Sequence, residues 1–156
     1  MMKSADAWFE EYGESHRHPV NKFIHWFCVP AIVFSLVGLL WAIPVPRTFA
    51  EISPWLNWGS LFVLAALLYY FVLSWPLAIG MIAVSALVLW GNFALAQLET
   101  PLWQIALAIF IVAWIGQFIG HRIEGRKPSF FKDIQFLLIG PIWLLGFVYR
   151  KAHIRY

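Results

Sequence analysis

Five long apolar stretches, roughly Ile24–Ile43, Trp58–Trp75, Leu77–Leu98, Leu102–Gly120 and Ile134–Val148, restrict what this chain can fold into. About 20 apolar residues cross the hydrocarbon core as a helix. In lipid only segments that satisfy their own backbone hydrogen bonds can span, so the pattern predicts an all-α, polytopic helical membrane protein. The first, third and fourth stretches are comfortable spans. The second is short and runs into the third through Trp75-Pro76, where the proline disfavours helix at the preceding residue and offers a tight reversal. The fifth is short and interrupted by Gly140-Pro141, which predicts a re-entrant or tilted hairpin-like element. The expectation is about four spanning helices, a shorter re-entrant fifth segment and an interfacial N-terminal helix, in one integral membrane domain over residues 1–156. Composition agrees, because only 12% of residues are charged against 62% hydrophobic, where a soluble domain carries about 25% charged residues. No cleavable signal is expected, since the first apolar run is too long for one.

The basic residues lie between the apolar stretches, with no tract or stripe among them, and the net charge is a modest +3. That excludes nucleic-acid binding as the natural reading and suits anchoring on anionic headgroups. A single cysteine, Cys28, cannot make an internal disulfide. Lys3, Arg17 and Lys22 precede the first span, and Arg122, Arg126, Lys127 and Lys132 follow the fourth. Four crossings put both groups on one side, which the positive-inside rule makes cytoplasmic. Arg150, Lys151 and Arg155 join them only if the fifth segment does not cross fully. All five histidines (His16, His18, His25, His121 and His153) then fall on that same side. Ionisable groups near a membrane are costly, so their gathering calls for a reason.

Two segments carry them. In the first, Pro19 suits the opening position of a helix, where its missing N–H would have no partner anyway. A helix from Pro19 sets Asn21 and His25 four residues apart on one face, with His16 and His18 ahead of it to fold back over its start. Upstream, Trp8, Phe9 and Tyr12 make one apolar side of a short helix lying in the interface. In the second segment, a fourth helix continuing past the membrane edge puts Gln117, His121 and Glu124 on one face. Gly116 and Gly120 share the spacing that lets another helix approach closely, and Gly125 and Pro128 end the helix. His16, His25 and His121 thus become candidate metal ligands. Each residue also has a plainer reading: His153 as a headgroup anchor, His18 as a replaceable polar residue before Pro19, and Glu124 as a partner of Arg122, Arg126 or Lys127.

Together the two segments resemble the family of the fungal endoplasmic-reticulum 2-hydroxy fatty acid dioxygenase. The resemblance rests on Tyr12-Gly-Glu-Ser-His16, Pro19-Val-Asn21-Lys22, His25 and Val29-Pro30, then Gln117-Phe-Ile-Gly120-His121, Glu124, Pro128 and Gly140-Pro141. The pairing of H-x4-N-x3-H with a later Q-x2-GH-x2-E gives it specificity. Between Pro44 and Pro101 only the hydropathy is similar. The resemblance implies an Fe(2+)-dependent enzyme of fatty acid α-oxidation that shortens a 2-hydroxy fatty acid by one carbon using O2. His16, His25 and His121 match the family's motif histidines, with His18 carried over more weakly as a ligand. Asn21, Gln117 and Glu124 match its polar positions as catalytic candidates. Imidazole and carboxylate ligands with open positions suit non-haem iron, with Glu124 either a fourth ligand or a partner that fixes an imidazole tautomer. Lys22, Arg122 or Arg126 would draw the substrate carboxylate to the membrane surface.

Three rivals remain open. A di-iron lipid hydroxylase needs about eight histidines in boxes that this chain lacks; a zinc-dependent membrane hydrolase uses the same ligand types; a non-enzymatic lipid-binding protein needs only polar anchors. Expected partners are the lipid bilayer, the 2-hydroxy fatty acid and O2, and homo-oligomerisation is left open. Localisation follows from class: the bacterial cytoplasmic membrane, slightly favoured because the C-terminus carries no retention-like signal, or the endoplasmic reticulum in a eukaryote.

Overall fold

A computed structural model describes residues 3–127 and 135–156; Pro128, Lys132 and Ile134, at the expected helix end and the start of the fifth stretch, lie outside the described residues. Those residues form seven helices: α1 (Ala5–Gly13), α2 (Pro19–Trp41), α3 (Arg47–Ile52), α4 (Trp58–Leu73), α5 (Trp75–Leu95), α6 (Leu102–Glu124) and α7 (Phe136–Lys151). Three of them, α2, α5 and α6, are long and apolar enough to cross a membrane, and α4 is a shorter apolar helix. At about 1.5 Å per residue the 23 residues of α2 reach roughly 34 Å, beyond a hydrocarbon core of about 30 Å. Phe23, Phe27, Leu87 and Val112 lie about two-thirds exposed on the spanning helices, a surface that only lipid covers without cost. The chain is a polytopic helical membrane protein.

Local chemistry sets the helix ends. The Ser4 hydroxyl accepts from the Ala7 N–H at 3.3 Å at the start of α1. Proline opens α2, with His18 as its cap. Asn57 and Ser60 cap α4 reciprocally, each side chain bonded to the other's backbone. The α4–α5 reversal narrows to one extended residue, Ser74, which ends one helix and begins the next. Gly125, at φ 71°, closes α6 in the left-handed conformation that glycine adopts freely.

The tightest pairing is α2 against α6, and it is antiparallel. Glu124, the last residue of α6, meets the start of α2, while Gly38 near the end of α2 meets Ala106 near the start of α6. The glycine spacing on α6 permits it. A Cβ at Gly116 would fall 2.5 Å from Cys28 Sγ, and one at Gly120 would fall 2.4 Å from Asn21 Oδ1.

The fifth segment differs from expectation. It is not broken at Gly140-Pro141: α7 runs through both as one helix. Pro141 removes only the bond to the Leu137 carbonyl, and Gly140 serves close packing, facing the Tyr12 hydroxyl and Val29. Seven of the 16 residues of α7 are buried, including Ile139, Ile142, Trp143 and Leu144, a larger share than on any long apolar helix. So α7 is held against the protein over a larger part of its surface than the spanning helices are. The apolar side of α1 is likewise spent on α7, with Trp8 edge-on to Phe136 at 5.4 Å and Tyr12 edge-on to Trp143 at 5.1 Å. The short helix α3, between the first and second spans, had no counterpart in the hydropathy reading.

Candidate metal centre

The turn joining α1 to α2 brings His16 under its own helix. The His16 ring stacks on Tyr12, with centroids 4.1 Å apart and planes 14° apart, and its Nδ1 lies 2.6 Å from the Tyr12 carbonyl. His25, in the second turn of α2, sets its Nδ1 2.8 Å from the Asn21 carbonyl. Across the helix pair, the His121 ring stands nearly perpendicular to both, with centroids 4.9 and 5.0 Å away. All three histidines are buried. Each offers a ligating atom, and these atoms lie within 4.8 Å of one another, a group that can hold a metal ion.

The hydrogen bonds fix the tautomers. A carbonyl oxygen only accepts, so the Nδ1 atoms of His16 and His25 carry the protons and each Nε2 is a bare lone pair. Yet these two Nε2 atoms face each other at 2.8 Å. A shared proton would relieve the repulsion, but burial, then the charge of His25, pushes His16 from its ordinary 6.5 down to about 3. A metal cation placed between them would take up both lone pairs. His121 adds a buried Nδ1 without a hydrogen-bond partner among the described residues. Three neutral imidazoles around one point suit Zn, Fe, Cu or Ni and leave further coordination positions open.

Glu124 is placed otherwise than expected. Its Oε1 accepts from the Arg17 N–H at 2.9 Å, and its Oε2 accepts from the His18 N–H at 2.8 Å and from Asn21 Nδ2 at 3.1 Å. The tautomers are fixed by backbone carbonyls and not by Glu124. Nor does Glu124 form an ion pair with Arg122, Arg126 or Lys127 among the described residues. Its carboxylate sits at the positive N-terminal end of α2, where unpaired N–H groups and the helix dipole favour an anion. Asn21, fully buried, adds a second bond from Nδ2 to the Ser15 carbonyl at 3.2 Å. Together they tie the His16 turn and the His25 helix to α6.

Gln117, one turn from His121 toward the membrane interior, is buried and lines with His121 and Tyr12 a cavity of ≈ 40 Å³, large enough for a water-sized molecule. Burial raises the Tyr12 hydroxyl far above its usual range, so it stays a proton donor. Lys22 is half-buried, and its charge acts on His16. Arg122 and Arg126 stand exposed at the outer end of α6. His18 and His153 fall outside the cluster. His18 is exposed and caps α2 by accepting the Val20 N–H at 3.2 Å, and His153 lies exposed beyond α7.

Two residues of the site had no role in the sequence reading, although Tyr12 stands in the motif that carries the resemblance. Tyr12 looked like one more apolar residue of α1, although its four-residue spacing from His16 is the separation that puts a helical carbonyl under a ring nitrogen. Trp143, 5.3 Å from the His16 ring, carries no local signal at all.

Fold and site together define a polytopic helical membrane protein with a buried group of three histidines at one end of its bundle. The chain belongs to the Mpo1-like family, whose model, described as "2-hydroxy-palmitic acid dioxygenase Mpo1-like", matches residues 2–152. Among curated proteins, the 2-hydroxy-palmitic acid dioxygenase MPO1 of Saccharomyces cerevisiae is 29% identical over 133 residues, covering 83% of this chain and 71% of the relative. No solved structure matches the chain.

Proposed function

We propose that this protein is an Fe(2+)-dependent dioxygenase converting a 2-hydroxy fatty acid to the fatty acid one carbon shorter. The observation that carries the reading is the pair of unprotonated Nε2 atoms of His16 and His25 facing each other beside His121; family membership supplies the substrate class. The overall step balances: R–CH(OH)–COOH + O2 gives R–COOH + CO2 + H2O. The C1–C2 bond breaks, C2 is oxidised to the new carboxyl, and O2 takes up the four electrons without an external reductant. When bound, iron supplies the means of bringing O2 and the hydroxy acid together in reactive form.

His16, His25 and His121 hold the metal, and the Tyr12 and Asn21 carbonyls orient two of the three rings. Glu124 and Asn21 are positioning residues. Gln117 and the Tyr12 hydroxyl face the small cavity, where they orient the reacting end of the substrate and keep bulk water out. Lys22, with Arg122 and Arg126 at the rim, gathers the carboxylate at the membrane surface, which the charge pattern makes the cytoplasmic one. The whole chain acts as one membrane domain. His18 is left to capping α2.

Elemental analysis of the purified protein tests this. Near-stoichiometric iron is expected in the wild type and in His18→Ala, and its loss in His16→Ala, His25→Ala and His121→Ala, with oxygen uptake on adding 2-hydroxy fatty acids. Zinc in its place would favour a metal-dependent hydrolase. No metal, even after anaerobic Fe(2+) reconstitution, would refute the reading.

A further inference from the structure

The small cavity under the histidines has a larger neighbour. Ile32, Val33 and Leu137 line it on one side and also line a chamber of ≈ 250 Å³, so the partition between them is one side chain thick. The chamber lies among α2, α4, α5 and α7, and nearly all of its wall is aliphatic or aromatic. One of its few polar neighbours, Tyr70, has its hydroxyl engaged by the Leu138 carbonyl at 2.8 Å. From Leu137 beside the site the chamber reaches Val37 and Phe62 at the other end of the bundle. Val37 is twelve residues beyond His25 on the same helix, about 18 Å at the helical rise, which matches the reach of a long extended alkyl chain. Helical bundles normally pack without such voids, and a cavity with so apolar a wall suits an apolar ligand. A third cavity of ≈ 200 Å³ shares Val33, Val84, Val88 and Pro141 with the chamber and extends to Trp26 and Val148. Both are exposed, so a tail has a lateral way in from the bilayer.

We propose that this chamber holds the alkyl tail of the substrate, carboxylate end at the histidines and terminal methyl toward Val37 and Phe62, so that its depth sets the chain length accepted. The orientation of the head end rests on the reaction proposed above; the chamber's affinity for an alkyl tail does not.

Photolabelling of the full-length protein in nanodiscs tests it with a 2-hydroxy fatty acid carrying a diazirine at its terminal carbon. Adducts are expected around Phe62 and Val37, competed by excess 2-hydroxypalmitate. A diazirine near the carboxyl should move them to Val33 and Leu137. Adducts spread over lipid-facing Leu64, Leu68 and Val72, equal for both probes, would overturn the proposal. Ala66→Phe fills the chamber midway. Each methylene kept out costs about fourfold in affinity, so the kcat/KM ratio of 2-hydroxypalmitate to 2-hydroxyoctanoate should fall by about tenfold or more. An unchanged ratio in a folded variant would count against the chamber. Chamber labelling without turnover would uphold the chamber and sink the reaction; turnover with labelling confined to the lipid face would do the reverse.

Discussion

Replacing Glu124 by Gln probes the join between the two halves of the site. The wild-type carboxylate accepts three N–H groups, from Arg17, His18 and Asn21, at 2.8–3.1 Å. An amide of the same shape can keep its one oxygen for His18 and Asn21 but then turns an NH2 toward the Arg17 N–H. Hydrogen bonds to a charged group contribute about 1.5–3 kcal/mol each, neutral ones about 0.5–1.5. Glu124 is only half-buried, and water re-solvates part of what is lost, so the low ends apply. One bond lost and two weakened then cost about 2–4 kcal/mol, including the interaction with the N-terminus of α2. A surface glutamate merely paired with nearby Arg or Lys would cost under about 1 kcal/mol. For a chain of this size that separates a fall in apparent Tm on the order of 5–10 °C from one of a degree or two. Thermal unfolding in one detergent, read by tryptophan fluorescence with the metal removed, measures the difference. The same variant should bind metal about 10–100-fold more weakly, because the His16 turn is no longer fixed to α6. A loss below about 1 kcal/mol with unchanged metal affinity would refute the reasoning.

Gly120→Ala should also loosen the site, since the new Cβ would overlap Asn21 Oδ1, 2.4 Å away; overpacking of about 1–3 kcal/mol outweighs the helix-propensity gain of about 1 kcal/mol, and unfolding with metal titration should show both stability and affinity reduced, whereas Gly13→Ala, which meets nothing within 4 Å at the end of α1, should leave metal affinity unchanged and stability equal or slightly higher. Acid should destabilise the metal-free protein. His16 is held neutral down to about 3 when folded but takes a proton near 6.5 when unfolded, so below about 6.5 the unfolded state binds more protons and stability falls with pH toward 3; a flat unfolding profile between pH 7 and 5 would contradict this.

What could be read from the residues was local. Pro19 announced the start of α2, and Asn21 with His25 shared a face because four residues separate them. The Gly116/Gly120 pair announced a close neighbour, which proved to be α2, and Gly125 announced the end of α6. What could not be read depended on distance along the chain. Nothing beside Glu124 says that its acceptors meet N–H groups 107 and 106 residues earlier. The role of α7 was hidden for another reason. Gly140-Pro141 usually marks a break, but in α7 the proline gives up one hydrogen bond in a helix that continues through it, packed on α1, α2 and α5. His18 misled by its neighbourhood, because the geometry that makes it a good helix cap turns its ring away from the cluster.

The arrangement of the histidines has a consequence for biosynthesis. His16 and His25 leave the ribosome early, whereas His121 follows about a hundred residues later, some 5–20 s at ordinary elongation rates. During that interval α2 must stand in the bilayer with its polar face, Asn21 and His25, uncovered, while α4 and α5 insert. Only the arrival of α6 buries that face, and the same event delivers the third imidazole and the carboxylate that clamps the first turn. Insertion of α6 and assembly of the three histidines are therefore one step, and α7, which brings Trp143 against His16, packs over them afterwards.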